Sequence, residues 1–250
     1  MLKKLLICTL FFSVSLFAAE IKVAVSANAS YAVEAAVMEF KKQYRDIKVT
    51  VTHASNKELK SLVTGRVDYE LLISDDRNFL ESLHKNEKSS AEPMVYAVDE
   101  LVLFSAKEPD YNKGLKLLKD KDITKVLVLD LNTTFYGNSA IEAMQKEKVY
   151  EQARQKISFV DSFSDSLLSD LGENEMAIVQ KSLLHTAGMK KFKKDKNWIE
   201  LCSKLYTPIN LNILMLKNGE NNRDAKLLYD YILSEDAKQI FKNFGYSTEW

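Results

Sequence analysis

IKVAVSANASYAVEAAVMEF, residues 21–40, carries the decisive pattern of this chain. Ile21 to Val25 is a short run rich in β-branched residues. It stops at Ser26-Ala27-Asn28-Ala29-Ser30, and Ala32, Val33, Ala36, Val37 and Phe40 then recur with helical spacing. An apolar run of strand length, a small polar turn and an amphipathic helix make one βα unit. The same grammar follows at Ile47 to Val51, with its helix from about Asn56 to Thr64, and at Tyr69 to Ile73, with a helix starting near Asp75. Successive βα units predict an α/β fold with parallel strands.

Further along, an extended stretch runs from Met94 through Phe104 and leaves through Lys107-Glu108-Pro109-Asp110, where the first crossover is expected. A second α/β series follows: strand Val126 to Leu129, helix Asn138 to Lys146, strand Ile157 to Val160, helix Ser164 to Leu171 and strand Met176 to Val179. Leu211 to Leu216 reads as a strand returning to the first series, and helices at Asp224 to Leu233 and Glu235 to Asn243 close the chain. The expectation is two α/β lobes joined by crossing strands, with residues 20–104 and 208–250 forming the first and 105–207 the second. Such lobes enclose a cleft, and ligands of open α/β sheets sit outside the carboxyl ends of the strands.

Ahead of the first strand, Lys3 and Lys4 precede the apolar run Leu5 to Leu10, FFSVSLF and the small pair Ala18-Ala19. This is the pattern of an export signal occupying residues 1–19, with the mature chain starting near Glu20. Cys8 falls inside that apolar core, so Cys202 is left alone and an internal disulfide is not expected. Thirty-five basic and 35 acidic residues balance, which leaves no field to attract nucleic acid. The basic stretch Lys190 to Lys196 is interrupted by Phe192 and Asp195 and reads as solvated surface.

The three histidines, His53, His84 and His185, accompany no nucleophile elbow, HExxH, CxxC, EF-hand, Walker loop or GxGxxG, so an enzyme reading has no named parts. No metal site and no cofactor are expected. The strand ends instead carry small polar residues: Ser26 to Ser30, His53-Ala54-Ser55-Asn56 and Thr133-Thr134-Phe135-Tyr136-Gly137. Each is a good helix cap, which is a sufficient explanation of any one of them. Several helix N-termini converging on one cleft would also hold an anion without a cationic side chain.

IKVAVSANASYAVEAAVMEFKKQY, KVTVTHASNKELKSLVTGRVDYELLISDD, VLDLNTTFYGNSAIEAM and ILSEDAKQIFKNFGY together resemble the periplasmic molybdate-binding proteins of bacterial ABC transporters, a type II solute-binding family. The resemblance spans nearly the whole mature chain. It implies a monomeric periplasmic protein that captures a tetrahedral oxyanion, molybdate or tungstate, and delivers it to an inner-membrane permease. Carried over by position, ligand donors fall at Asn28 and Ser55, at the backbone N–H of Tyr136 and near Phe163, and at Gln180. Asn28 and Gln180 stand where the family has hydroxyl donors, so the resemblance leaves open a different small anion or solute, and more remotely an enzyme using the same cleft. Lys57 at the rim is expected to be solvated.

Overall fold

The structure, a computed structural model, describes residues 20–65, 67–132 and 134–248. The expected export signal, residues 1–19, lies outside them. In the first lobe β1 (Ile21–Ser26), β2 (Val49–Ala54) and β3 (Leu71–Ser74) pair in parallel with β1 central. They are followed in turn by α1 (Ser30–Gln43), α2 (Asn56–Thr64) and α3 (Arg77–Lys85). The chain continues through β4 (Met94–Asp99) and β5 (Leu101–Phe104) into β6 (Lys125–Leu129), α4 (Phe135–Lys146) and α5 (Tyr150–Ala153). β7 (Ile157–Val160), α6 (Asp165–Ser169), β8 (Glu175–Gln180) and β9 (Trp198–Glu200) complete the second lobe, and β10 (Ile209–Met215), α7 (Arg223–Ile232) and α8 (Glu235–Asn243) return to the first.

Two five-stranded sheets result, ordered β2-β1-β3-β10-β4 and β7-β6-β8-β5-β9. Each consists of three parallel strands, one antiparallel strand (β10 in the first, β5 in the second) and an outer strand (β4, β9) antiparallel to that one and so directed as the first three. One boundary departs from expectation. Residues 101–104, assigned from sequence to the first lobe, hydrogen-bond to β8 and β9 of the second sheet. The reason is visible at Asp99-Glu100: the stretch is extended and apolar on both sides, so periodicity continues while the strand changes partners. The chain thus passes between lobes at Glu100 and again between Glu200 and Ile209. Lys181 ties both passages, its Nζ lying 2.6 Å from Glu100 Oε2 and 2.9 Å from Glu200 Oε1.

The helices form where their apolar faces find a sheet. On α1 and the turn before it, Ala29, Ala32, Val33, Ala36, Val37 and Phe40 are at most 4 % exposed and pack with β1, α7 and α8. Full burial of side chains such as Val33 or Phe40 stabilises by about 1.5–3 kcal/mol each. α2 and α3 cover the opposite face through Leu59, Leu80 and Leu83. In the second lobe Ala140, Ala143 and Met144 of α4 pack on Val126 and Val128 of β6. Gly137 lets α4 lie this close: a Cβ there would stand 2.2 Å from the Leu129 carbonyl oxygen.

Candidate ligand site

The carboxyl ends of the parallel strands from both sheets face one cleft, which holds two cavities. The smaller, about 190 Å³, is lined by Asn28 and Ser30 after β1, Phe163 after β7, Gln180 at the end of β8, Ser182 just beyond it, and Tyr246 from the closing tail. Among the described residues, none that lines it carries a charge. The larger, about 550 Å³, lies between Asn56, Lys60, Asp76 and Phe79 of the first lobe and Asn132 and Phe135 of the second. Its charged groups neutralise each other, Lys60 Nζ lying 2.9 Å from Asp76 Oδ2. A third cavity, about 620 Å³, is bounded by first-lobe residues such as Val67, Glu87 and Lys217, with none from the second lobe among the described residues. Size therefore does not select the site; convergence of both lobes does.

Of the five positions expected to meet a ligand, Asn28, Phe163 and Gln180 line the smaller cavity together. Asn28 lies in the short 3₁₀ turn Ala27–Ala29 between β1 and α1, and its carbonyl accepts a 3.4 Å hydrogen bond from Tyr246 Oη. Gln180 is buried, and its carboxamide oxygen has no hydrogen-bond partner. Tyr136 turns its side chain into the protein, leaving only its N–H, at the second position of α4, to serve a ligand. Such an N–H has no acceptor within the helix. Ser55, like Tyr136, lines neither cleft cavity. It caps α2, its Oγ accepting from Glu58 N at 3.3 Å and donating to Glu58 Oε2 at 2.8 Å, while the Ser55 N–H donates to the same carboxylate. That reciprocal arrangement is a capping box and occupies the hydroxyl's only proton.

Two acids at first-lobe strand ends are buried, and neither lines a cleft cavity. Asp99, 1 % exposed at the end of β4, accepts from Tyr136 Oη (2.9 Å), Ser182 Oγ (2.5 Å), Ser182 N (3.3 Å) and Glu100 N (2.8 Å). A first-lobe carboxylate thus gathers two second-lobe elements. Burial pushes its pKa up to about 6, against the pull of those hydrogen bonds. Asp75, immediately after β3, is 3 % exposed. Its Oδ1 accepts from Asn56 Nδ2 at 3.0 Å, and Asn56 Oδ1 accepts in turn from Ser74 Oγ at 3.1 Å. Burial raises its pKa too, with Asn56 opposing.

None of the histidines lines either cleft cavity. His53 Nε2 lies 2.6 Å from Glu34 Oε1, and His84 Nδ1 lies 3.1 Å from the Ser89 carbonyl oxygen. His185 is half-buried beside Gly245, and burial followed by the nearby Lys181 charge lowers its pKa. Among the described residues no three His, Cys, Asp or Glu side chains are grouped to hold a metal ion.

Two sheets with three parallel strands apiece and a shared cleft at their carboxyl ends are the frame on which the family comparison falls. The model of a family described as bacterial extracellular solute-binding protein matches residues 21–247. The chain belongs to this family. As a member of this family it is a solute-binding protein. The Azotobacter vinelandii molybdate-binding protein ModA is 26 % identical over 234 residues, covering 93 % of this chain and 91 % of the relative. The Rhodobacter capsulatus molybdate-binding protein ModA is 27 % identical over 205 residues, covering 80 % and 78 %. Among solved structures, the Azotobacter vinelandii periplasmic molybdate-binding protein superposes with a TM-score of 0.79 at 19 % identity, covering 92 % of this solute-binding protein and all of that chain. The substrate-binding domain of a molybdenum ABC transporter from Clostridium difficile gives 0.74 at 21 % identity, covering 92 % and 99 %. These two structures share the two-lobed α/β fold expected from sequence.

Sequence reasoning passed over Asp75, Asp99, Ser182 and Tyr246. The two acids stand at the ends of β3 and β4, where a carboxylate is ordinary on a solvated turn and costly only once buried. Ser182 follows the end of β8 by two residues, in the turn that starts at Lys181, and could have been read with Gln180; Tyr246, from the closing tail, had no such signal.

Proposed function

We propose that the protein captures a tetrahedral oxyanion, molybdate or tungstate, between its lobes outside the cytoplasmic membrane and delivers it to the permease of an ABC importer. The observation that carries this reading is the smaller cavity, where Asn28 from one lobe meets Gln180 and Phe163 from the other among lining residues that bear no charge. Neutral donors suit a dianion that must be released again, because oriented amide and backbone N–H groups stabilise charge without an ion pair to break. In this reading the carboxamides of Asn28 and Gln180 present their NH₂ groups to the anion. The carboxamide of Gln180 would do so by rotation that exchanges its buried, unpartnered oxygen for nitrogen. The N–H groups of Phe163 and Tyr136 add backbone donors, and Ser55 acts by fixing the start of α2, whose first residue Asn56 lines the larger cavity.

The names of the Azotobacter and Rhodobacter relatives support molybdate as the cargo. The export-signal pattern at Lys3, Lys4 and Leu5 to Leu10 supports secretion with cleavage near Ala18 or Ala19. Titration calorimetry of protein starting at Glu20 against molybdate, tungstate, sulfate and phosphate tests the reading. Saturable binding of molybdate and tungstate with 1:1 stoichiometry is expected, and absence of heat with all four anions refutes it.

A further inference from the structure

His185 sits on the seam between the lobes and takes no part in the proposed binding of the anion. It ends the turn Lys181–His185 that follows β8 in the second lobe, and its ring lies against Gly245 of the closing tail, which belongs to the first. The approach is close: a Cβ on Gly245 would stand 2.6 Å from both Cδ2 and Nε2 of the ring. Gly245 also has a φ of 80°, which a side chain would strain, so glycine serves both the turn and the contact.

The contact joins two walls of the smaller cleft cavity. Phe244 and Tyr246, on either side of Gly245, line that cavity from the first lobe, and Ser182 and Leu183, on the turn that His185 ends, line it from the second. Tyr246 Oη also donates to the Asn28 carbonyl. A change in the seam at His185 therefore shifts one wall of the cavity against the other.

The ring fits this seam only when neutral. Its Nε2 is buried and has no hydrogen-bond partner among the described residues. A bare lone pair there forfeits one hydrogen bond, whereas a protonated Nε2 would be a buried charge facing the Gly245 backbone, at far greater cost. Burial acts most strongly against the charged ring, followed by Lys181 on the same turn, itself paired with Glu100 and Glu200; Lys190 adds to both. A hydrogen bond with the Asn243 backbone and the Glu200 carboxylate of β9 favour charge, and the balance holds the pKa below its usual value.

We propose that His185 is a pH-sensitive latch between the lobes: its neutral ring seats the closing tail on the second lobe, and protonation of Nε2 unseats the tail and loosens the cleft. The latch needs only the seam, while its effect on solute rests on the capture of an oxyanion between the lobes. A ring freed by opening titrates near about 6.5 and the seated ring lower, so below about pH 6.5 closure expels a proton and acid favours the open form. Above that range the ring is neutral in both forms and the latch does not respond to pH.

The test is calorimetry with molybdate between pH 5.5 and 7.5, in buffers of different ionisation heat, on the wild type and His185→Phe, which keeps a flat ring and cannot be protonated. The two bind equally at pH 7.5. On going to pH 5.5 the wild type loses about five- to tenfold in affinity relative to the variant and releases about half to one more proton per anion. Asp99, with its pKa pushed up to about 6, titrates in both proteins and cancels in the comparison. Equal pH profiles or equal proton release overturn the proposal. If the phenylalanine variant does not melt cooperatively, His185→Gln takes its place with the same expectations. If neither protein binds molybdate at pH 7.5 while both melt cooperatively, the capture reading falls, and small-angle scattering of the ligand-free proteins decides the latch: a radius of gyration that grows toward pH 5.5 in the wild type alone supports it, and matching curves overturn it.

Discussion

Replacing Ser55 by alanine separates a helix cap from a ligand contact. In the structure its hydroxyl is spent on the first turn of α2, accepting from Glu58 N and donating to Glu58 Oε2, and these bonds hold the Glu58 carboxyl below its usual pKa. Ser55→Ala removes both side-chain interactions and leaves the backbone N–H of residue 55 with Glu58. Loss of such a cap costs about 1 kcal/mol, within a range of about 0.5–2. For a chain of this size about 1 kcal/mol corresponds to a melting temperature lower by about 2–4 °C. The ligand-free variant should melt lower by this amount in a thermal scan, and its calorimetric affinity for molybdate should stay within about twofold of wild type. A direct charge-assisted bond from the hydroxyl to the anion would contribute about 1.5–3 kcal/mol. An affinity loss of about ten- to a hundredfold at unchanged melting temperature would therefore refute the cap account and place Ser55 Oγ in the site.

Three other perturbations probe the fold and the cleft. Gly137→Ala drives a Cβ to 2.2 Å from the Leu129 carbonyl oxygen, which is backbone and cannot step aside, so urea unfolding should show a loss of about 1–3 kcal/mol or more; an unchanged midpoint would contradict the close approach of α4 to β6. Asn28→Asp keeps shape and adds charge in a cavity without a cation, so molybdate affinity should fall at least about tenfold while the ligand-free melting temperature moves little; retained affinity would remove Asn28 from the site. Asp99 holds its proton more tightly folded (pKa about 6) than unfolded (3.8), so its contribution to stability is fully present below the unfolded value and is lost as pH rises through about 6. At about 1.4 kcal/mol per pKa unit this amounts to about 3 kcal/mol, and urea unfolding should show Asp99→Asn gaining on wild type by about that much between pH 4 and pH 7; a constant difference would contradict it.

The stretch at residues 21–40 was legible because strand and helix periods meet there across a turn of small residues, and the structure places β1 and α1 on those runs. The final helices were equally legible, with Asn222 and Ser234 capping α7 and α8 where the apolar periods begin. The lobe boundary at Glu100 was not, since an extended chain that exchanges one sheet for another leaves no break in alternation. At the cleft, strand-end positions could be read as a set, and the meeting of Asn28 with Phe163 and Gln180 follows from sheet order. The commitment of the Ser55 hydroxyl to Glu58 could also be read, as S-x-x-E, but a cap and a ligand donor share that sequence. Asp75 and Asp99 needed the structure because a carboxylate after a strand is ordinary until its burial is known.

The most direct test of capture between the lobes is an anomalous difference map at the molybdenum absorption edge from crystals grown with molybdate. The account predicts one dominant peak in the cavity bounded by Asn28, Phe163 and Gln180, with both carboxamides turned toward it. A molybdenum peak confined to the protein surface or to the first-lobe cavity near Val67 and Lys217, with the cleft unlabelled at saturating molybdate, would contradict it.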